Sequence, residues 1–296
     1  MNEGAFRVTG GSTMSSVHAG SPVIADAHNH LHFRAFSRDL DDIIARAREQ
    51  GVLAMLTVSI DESDAHRAIH VAGAYSGVYA SLGIHPQNAG RFSPEDVLGL
   101  ARLHNPGRTV AVGETGFDLY RTPESKTKQR DLFLAHISLA RQLELPLIIH
   151  DRNAHEETVA VLDETQAWAL GGVFHCFSGD TTLAKRVISE GFFVSVPGVI
   201  TYKNATVIRQ VVSQTPEEFL LVETDAPYLS PEPFRGKRNE PAYIRKTLEV
   251  VASLKGKTPE NMAMITTENF NRLFLGKTAA VAARKTNPGE LLCSSD

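Results

Sequence analysis

A single-domain α/β fold of the (β/α)8 TIM-barrel class is what this sequence predicts, on three observations. Eight short apolar runs rich in β-formers are spread along the chain, amphipathic segments separate most of them, and no GxGxxG or Walker loop follows the first run. Alternating strand and helix implies right-handed βαβ units and a parallel sheet, and eight units suit a closed barrel better than an open doubly wound sheet. The 296 residues also suit a barrel, which commonly takes about 250 as one domain.

The runs cover residues 23–27, 52–59, 78–82, 109–113, 147–149, 172–174, 191–196 and 219–223. Between the first two, Ser37 or Asp39 can cap a helix whose buried face is Leu40, Ile43, Ile44 and Ala47, with Gly51 after its end. Residues 130–144 and 181–190 repeat that plan. Residues 1–21 are Gly/Ser-rich, with Met14 as a second start, and 277–296 form a polar tail, so the barrel is expected to span 22–276.

With 42% hydrophobic and 22% charged residues, the composition excludes long disorder, a collagen-like fibre and a coiled coil. No apolar run reaches the ~18 residues of a membrane span, and residues 1–21 hold no apolar core of a secretory signal. Two cysteines, Cys176 and Cys293, make no disulfide framework. A cytoplasmic protein without membrane or obligate protein partner is therefore expected. Lys plus Arg number 30 against 34 Asp plus Glu, a net −4 that excludes a broad basic surface but leaves room for a local positive site.

The chemistry gathers where runs end. In Asp26-Ala27-His28-Asn29-His30 the two imidazoles are two residues apart, and strand positions i and i+2 share a face. Later runs end in Glu114, His150, His175 and Asp225. Each places a metal-ligating side chain at the C-terminal face of a barrel, where active sites are built. Six N/O ligands exceed what one catalytic ion takes, so a two-metal site is expected, with Glu114 bridging an ion on His28, His30 and Asp225 and another on His150 and His175. The imidazole-rich set favours Zn or Mn over Mg. Two divalent ions and two carboxylates leave about +2 at the mouth, which suits an anionic substrate.

The blocks DAHNHL (26–31), SLGIHP (81–86), VGETGFDLYR (112–121), LPLIIHDRNA (145–154), FHCFSG (174–179), ETDAPYLSP (223–231) and RGKRNEP (235–241) together resemble the TatD family of metal-dependent deoxyribonucleases. The resemblance implies a phosphodiesterase acting on DNA with two divalent ions. It implies His28, His30, Glu114, His150, His175 and Asp225 as metal ligands and puts His85 near the scissile phosphate. Many relatives carry an acidic residue where this chain has His32, for which a solvated loop position is expected. Glu114, rather than a carbamylated lysine, at the bridging position fits the phosphodiesterase branch of such barrels.

Water bridging two ions is acidified from 15.7 toward ~7, and the ions clamp attacking and leaving oxygens. Asp225 is the expected carboxylate for orienting that water, with Glu114 and His85 completing the catalytic group. Arg121, Arg152, Lys203, Arg235, Lys237 and Arg238 follow the strand ends and are candidate phosphate contacts, and Phe117, Tyr120, Tyr202 and Tyr228 are candidate stacking platforms. A barrel mouth admits a strand end more readily than a duplex, so single-stranded or frayed DNA ends are the expected substrate. The same constellation could hydrolyse an ester or amide, as in a D-aminoacyl-tRNA deacylase, or merely hold structural ions. Cys176 is expected to point toward helix packing, and His66, His70, His104, His136 and His155 to lie on helices as surface or packing residues. Trp168 reads as a helix residue away from the mouth.

Overall fold

In the computed structural model, which describes residues 23–121 and 125–276, eight parallel strands stand in chain order around one axis. They are β1 (Ile24–Asn29), β2 (Val52–Thr57), β3 (Val78–Leu82), β4 (Thr109–Asp118), β5 (Leu147–Arg152), β6 (Gly172–Phe174), β7 (Phe193–Val196) and β8 (Leu220–Val222). The seam between β1 and β8 is joined at the mouth, where Asp225 N–H donates to the His28 carbonyl at 2.9 Å and His30 N–H to the Ala226 carbonyl at 2.8 Å. The fold is a single-domain (β/α)8 barrel. The 1–21 extension and 277–296 tail, with Met14 and Cys293, lie outside the described residues.

Helices α1 (Leu40–Glu49), α2 (Glu62–Ala74), α3 (Pro94–Gly99), α4 (Lys126–Leu143), α5 (His155–Glu164), α6 (Thr181–Ser189), α7 (Thr206–Gln214), α8 (Ile244–Leu254) and α9 (Pro259–Phe270) lie between and after the strands, joined by short 3-10 turns. Helix α1 buries Ile43, Ile44 and Ala47, as its periodicity predicts. Asp39 sits at its N-cap position but makes no capping bond, because its carboxylate is held by Arg238. Helix α6 is capped instead by Asp180, which accepts the N–H groups of Thr182 and Leu183 at 2.9 Å.

One apolar cluster fills the space between sheet and helices. A second, containing Ala54, Leu56, Val58, Ile148, Val173 and Leu221, is closed by Phe270 and Phe274 from the chain's last described turns. Fully burying each such Leu, Ile or Phe contributes about 1.5–3 kcal/mol, so the strand ends that carry the polar groups rest on a rigid support.

Three strands run further than their apolar stretches. β4 continues through Glu114 to Asp118, β5 through His150 to Arg152, and β1 through His28 to Asn29. Hydropathy drops at those residues, but the ladder persists: Thr115, Gly116, Phe117 and Asp118 pair with Ile149, His150, Asp151 and Arg152. His28, Glu114 and His150 thus sit within the sheet, which restricts their backbones more tightly, while His30, His175 and Asp225 follow their strands.

Candidate metal centre

Glu114 is the hub of the mouth. It is 3% exposed, and its Oε1 lies 2.6 Å from His150 Nδ1, 2.8 Å from His175 Nε2 and 3.4 Å from His85 Nε2. Its other oxygen, Oε2, lies 3.5 Å from His28 Nε2, and the His28 ring stacks on that of His175 at 3.9 Å. Asp225 Oδ1 stands 3.8 Å from His28 Nε2 and 3.5 Å from His30 Nε2. All six predicted ligands, and His85, therefore lie together at the barrel mouth, in three overlapping groups: His28, His30 and Asp225; His28, Glu114 and His175; and His85, Glu114 and His150. His28 and His30 do so although the β1–β2 register shifts between Asp26 and Asn29 and His30 lies beyond the strand, so simple alternation is not what aligns them.

Local bonds set the ring orientations. His30 Nδ1 donates to the Val58 carbonyl at 2.6 Å, leaving Nε2 toward Asp225. His85 Nδ1 accepts the Gln87 N–H at 3.0 Å, so a neutral His85 carries its proton on Nε2. Asn29 turns aside, donating to Asp26 at 3.1 Å. Asp26 is fully buried and accepts from the Thr224 N–H at 2.9 Å and hydroxyl at 2.6 Å, tying β1 to the segment after β8; burial pushes its carboxyl up to about 7.

The electrostatics follow from burial against these neighbours. Burial would raise the Glu114 carboxyl, but His175 and His85 beside it, with hydrogen bonds from His150 and His175, hold it well below the usual carboxylate range. Burial likewise opposes charge on His175, yet Glu114 and Glu223 hold that imidazole well above its ordinary value. For His28, burial and the neighbouring His175 push the ring down to about 3. Both His28 nitrogens are buried without a hydrogen-bond partner. An unsatisfied buried polar group costs about 1–3 kcal/mol. A divalent cation among His28, His30, His150, His175, Glu114 and Asp225 would satisfy that ring, and an imidazole–carboxylate set is the donor chemistry such an ion takes. The residues fit the group.

Two buried carboxylates were not singled out by the sequence. Glu223 Oε1 lies 3.4 Å from His175 Nδ1, and Asp118 Oδ2 lies 3.4 Å from His150 Nε2. The signal for Glu223 was its place two residues before Asp225. For Asp118 it was hidden, because the apolar run in β4 stops at Gly113.

Several expectations need correction. His32 is buried, not solvated: its Nδ1 meets the Thr57 hydroxyl at 2.9 Å and burial pushes its ring down to about 2. Phe117 is buried against Phe133 and offers no stacking face. Cys176 is half-buried, and its backbone N–H donates to Glu223 at 2.7 Å. His104 follows a short 3-10 turn rather than lying on a helix. His136 is a packing residue as expected, but a buried and bonded one.

The candidate phosphate contacts divide. The guanidinium of Arg152 covers the ring of Tyr120 at 4.6 Å and that of Arg235 covers Tyr202 at 4.4 Å. Arg121, Arg152, Lys203, Arg235 and Lys237 are exposed and in no ion pair among the described residues. Arg238 is committed elsewhere, to Asp39 and to the Ala35 carbonyl at 2.5 Å. Tyr120 and Tyr228 are more than half exposed.

A family model described as TatD related DNase matches residues 25–275. An uncharacterized metal-dependent hydrolase of Bacillus subtilis, YabD, is 39% identical over 85% of this chain and 99% of its own length. The 3'-5' ssDNA/RNA exonuclease TatD of Salmonella typhimurium is 32% identical over 81% of this chain and 94% of its own. The crystal structure of YjjV, a TatD homologue from Escherichia coli, superposes with a TM-score of 0.79 at 31% identity, covering 85% of this chain and 97% of that one. This chain belongs to the TatD family of metal-dependent hydrolases.

Proposed function

We propose that the protein hydrolyses phosphodiester bonds of DNA, acting as an exonuclease on single-stranded or frayed ends with two divalent ions at the barrel mouth. The observation that carries this reading is the division of Glu114: one oxygen addresses His150 and His175, and the other addresses His28, beyond which stand Asp225 and His30. A carboxylate so placed is suited to bridge two ions, with His28, His30 and Asp225 on one and His150 and His175 on the other. When bound, divalent ions supply Lewis acidity, lowering the pKa of water toward ~7 and offsetting charge on the phosphodiester.

The chain's own groups do the rest. Asp225 orients the attacking water and takes its proton. His85 donates a hydrogen bond from Nε2–H to a phosphate oxygen, the P–O bond opposite the water breaks, and the leaving oxygen takes up the proton that Asp225 accepted. Arg121, Arg152, Arg235 and Lys237 meet flanking phosphates. That the Salmonella relative is a 3'-5' ssDNA/RNA exonuclease supports this substrate class.

The test is incubation of metal-stripped protein, reloaded with Mg, Mn or Zn, with 3′- and 5′-labelled single-stranded DNA and, in parallel, a D-aminoacyl-tRNA. Metal-dependent ladders that vanish in His150→Ala support the proposal and give the polarity of digestion. Intact DNA with released amino acid would transfer the same ligands to ester hydrolysis.

A further inference from the structure

Each histidine of the His150–His175 set stands in front of a buried carboxylate that the proposed reaction does not use. His150 presents Nδ1 to Glu114, and its far nitrogen, Nε2, lies 3.4 Å from Asp118 Oδ2. His175 is turned the other way, with Nε2 on Glu114 and Nδ1 3.4 Å from Glu223 Oε1. Both carboxylates are fully buried.

Neither carboxylate is loose. Asp118 Oδ2 accepts from the Gln87 side chain at 2.7 Å, while its Oδ1 accepts the N–H groups of Arg121 at 2.8 Å and Tyr120 at 3.2 Å. Glu223 accepts the Cys176 N–H at 2.7 Å and the Ser195 hydroxyl at 2.6 Å. The other histidine pair is built differently. His30 donates to a neutral carbonyl, that of Val58; the far nitrogen of His28, like those of His150 and His175, makes no hydrogen bond, but no carboxylate is ion-paired with it among the described residues.

We infer that Asp118 and Glu223 are positioning residues that tune one of the two ion sites, that of His150 and His175, and leave the other untouched. A carboxylate behind a ligating imidazole fixes which nitrogen carries the proton, holds the ring angle and raises the basicity of the nitrogen facing the ion. Loss of such a partner typically costs 10–100-fold in metal affinity. At 3.4 Å the two contacts are longer than formed hydrogen bonds. An ion drawing electron density through the ring makes the far N–H a stronger donor and tightens them.

The inference rests on the two-metal reading above, and its test needs no DNA. Isothermal titration of metal-free full-length protein with Zn or Mn resolves the binding steps, and Co absorption bands report the ligand field of each. Wild type is expected to take two equivalents. Glu223→Gln and Asp118→Asn keep the size and most hydrogen bonds of each group, and each is expected to weaken one step 10–100-fold with the other step and the metal-free melting temperature unchanged. In a His30→Ala background, where the His150–His175 site is the one left intact, both substitutions should weaken the remaining step by the same factor and shift its Co bands. Ser195→Ala, which spares the carboxylate, should do neither. Two equivalents with unaltered affinity in both variants would overturn the inference, as would equal weakening of both steps. Failure of wild type to take two ions would instead remove the two-metal reading itself.

Discussion

Gly83 and Gly113 lie so close that a β-carbon on Gly83 would stand 2.2 Å from the Gly113 carbonyl carbon and 2.6 Å from the Glu114 nitrogen. This contact lets the chain after β3 run against β4, and it brings His85 within 3.4 Å of Glu114. Gly113 itself has φ +136° and would drive a β-carbon to 2.5 Å from the Ile148 carbonyl oxygen. The two glycines thus set the floor of the metal centre through backbone alone. Gly83→Ala must displace β4 at Glu114. We expect at least a tenfold loss of metal affinity and about 1–3 kcal/mol of stability, the usual range for overpacking. Calorimetric metal titration with thermal melting checks both, and unchanged affinity would show that the hub tolerates movement.

His85 should behave as a donor and not as a ligand. Its Nδ1 is occupied by the Gln87 N–H, and burial pushes its imidazole below the ordinary range despite the neighbouring Glu114, so the neutral ring carries its hydrogen on Nε2, as the proposed role requires. His85→Ala is expected to lower kcat by about 10²–10³, as for loss of one transition-state donor, with both metal equivalents retained. Loss of one equivalent would make His85 a ligand.

Much of this was legible because barrel strands carry their message in hydropathy and in the residue that ends the run. The eight strands appear as apolar stretches, and Glu114, His150 and His175 stand where hydropathy falls. Asp118 and Glu223 were harder to see because their meaning depends on which histidine lies across the barrel, a relation set by strand order and register. His32 and Phe117 show the same limit. Both sit in segments that read as loop, yet packing against Thr57 and Phe133 buries them. Arg238 looked like part of a basic run, and only the fold brings Asp39, 199 positions away, to its guanidinium.

Asp225 occupies the left-handed region at φ 54°, a conformation that asparagine accepts with little strain. Asp225→Asn should therefore fold with an unchanged melting temperature while losing the carboxylate proposed to take the proton, and kcat should fall by about 10²–10⁴, the range for general acid–base groups. Circular dichroism and single-turnover cleavage separate the two effects. A variant that turns over at the wild-type rate would release Asp225 from this role.

Buried His136 gives the fold a defined acid sensitivity. Its Nδ1 donates to the Leu132 carbonyl at 2.7 Å and its Nε2 accepts the Ile84 N–H at 2.9 Å, one residue before His85. Burial pushes the ring from 6.5 down to about 4. The unfolded chain binds this proton near pH 6.5 and the native chain only near 4. The contribution is thus fully present above about 6.5 and is lost as pH falls toward 4, roughly 3 kcal/mol in all. Urea unfolding of wild type and His136→Gln between pH 7 and 4 should show the stability difference changing by that amount. A difference independent of pH would mean that His136 is not the sensor.

The cations at the mouth should separate by what already holds them. Arg152 and Arg235 lie over Tyr120 and Tyr202 with no acidic partner among the described residues, so their heads are available to phosphates, and each contact to a single strand should add about −0.7 to the log–log salt slope of binding. Arg152→Ala and Arg235→Ala are each expected to raise KM for single-stranded DNA about tenfold, to flatten the salt dependence by that increment and to leave the melting temperature alone. Arg238 is ion-paired with Asp39 and also reaches the Ala35 carbonyl, so Arg238→Ala should do the reverse, lowering stability by about 0.5–1 kcal/mol, as for a partly exposed pair, with an unaltered salt slope. The contrast is the informative quantity: if all three variants shifted KM and salt slope alike, binding would depend on net charge at the rim, and the division between paired and unpaired arginines would carry no functional weight.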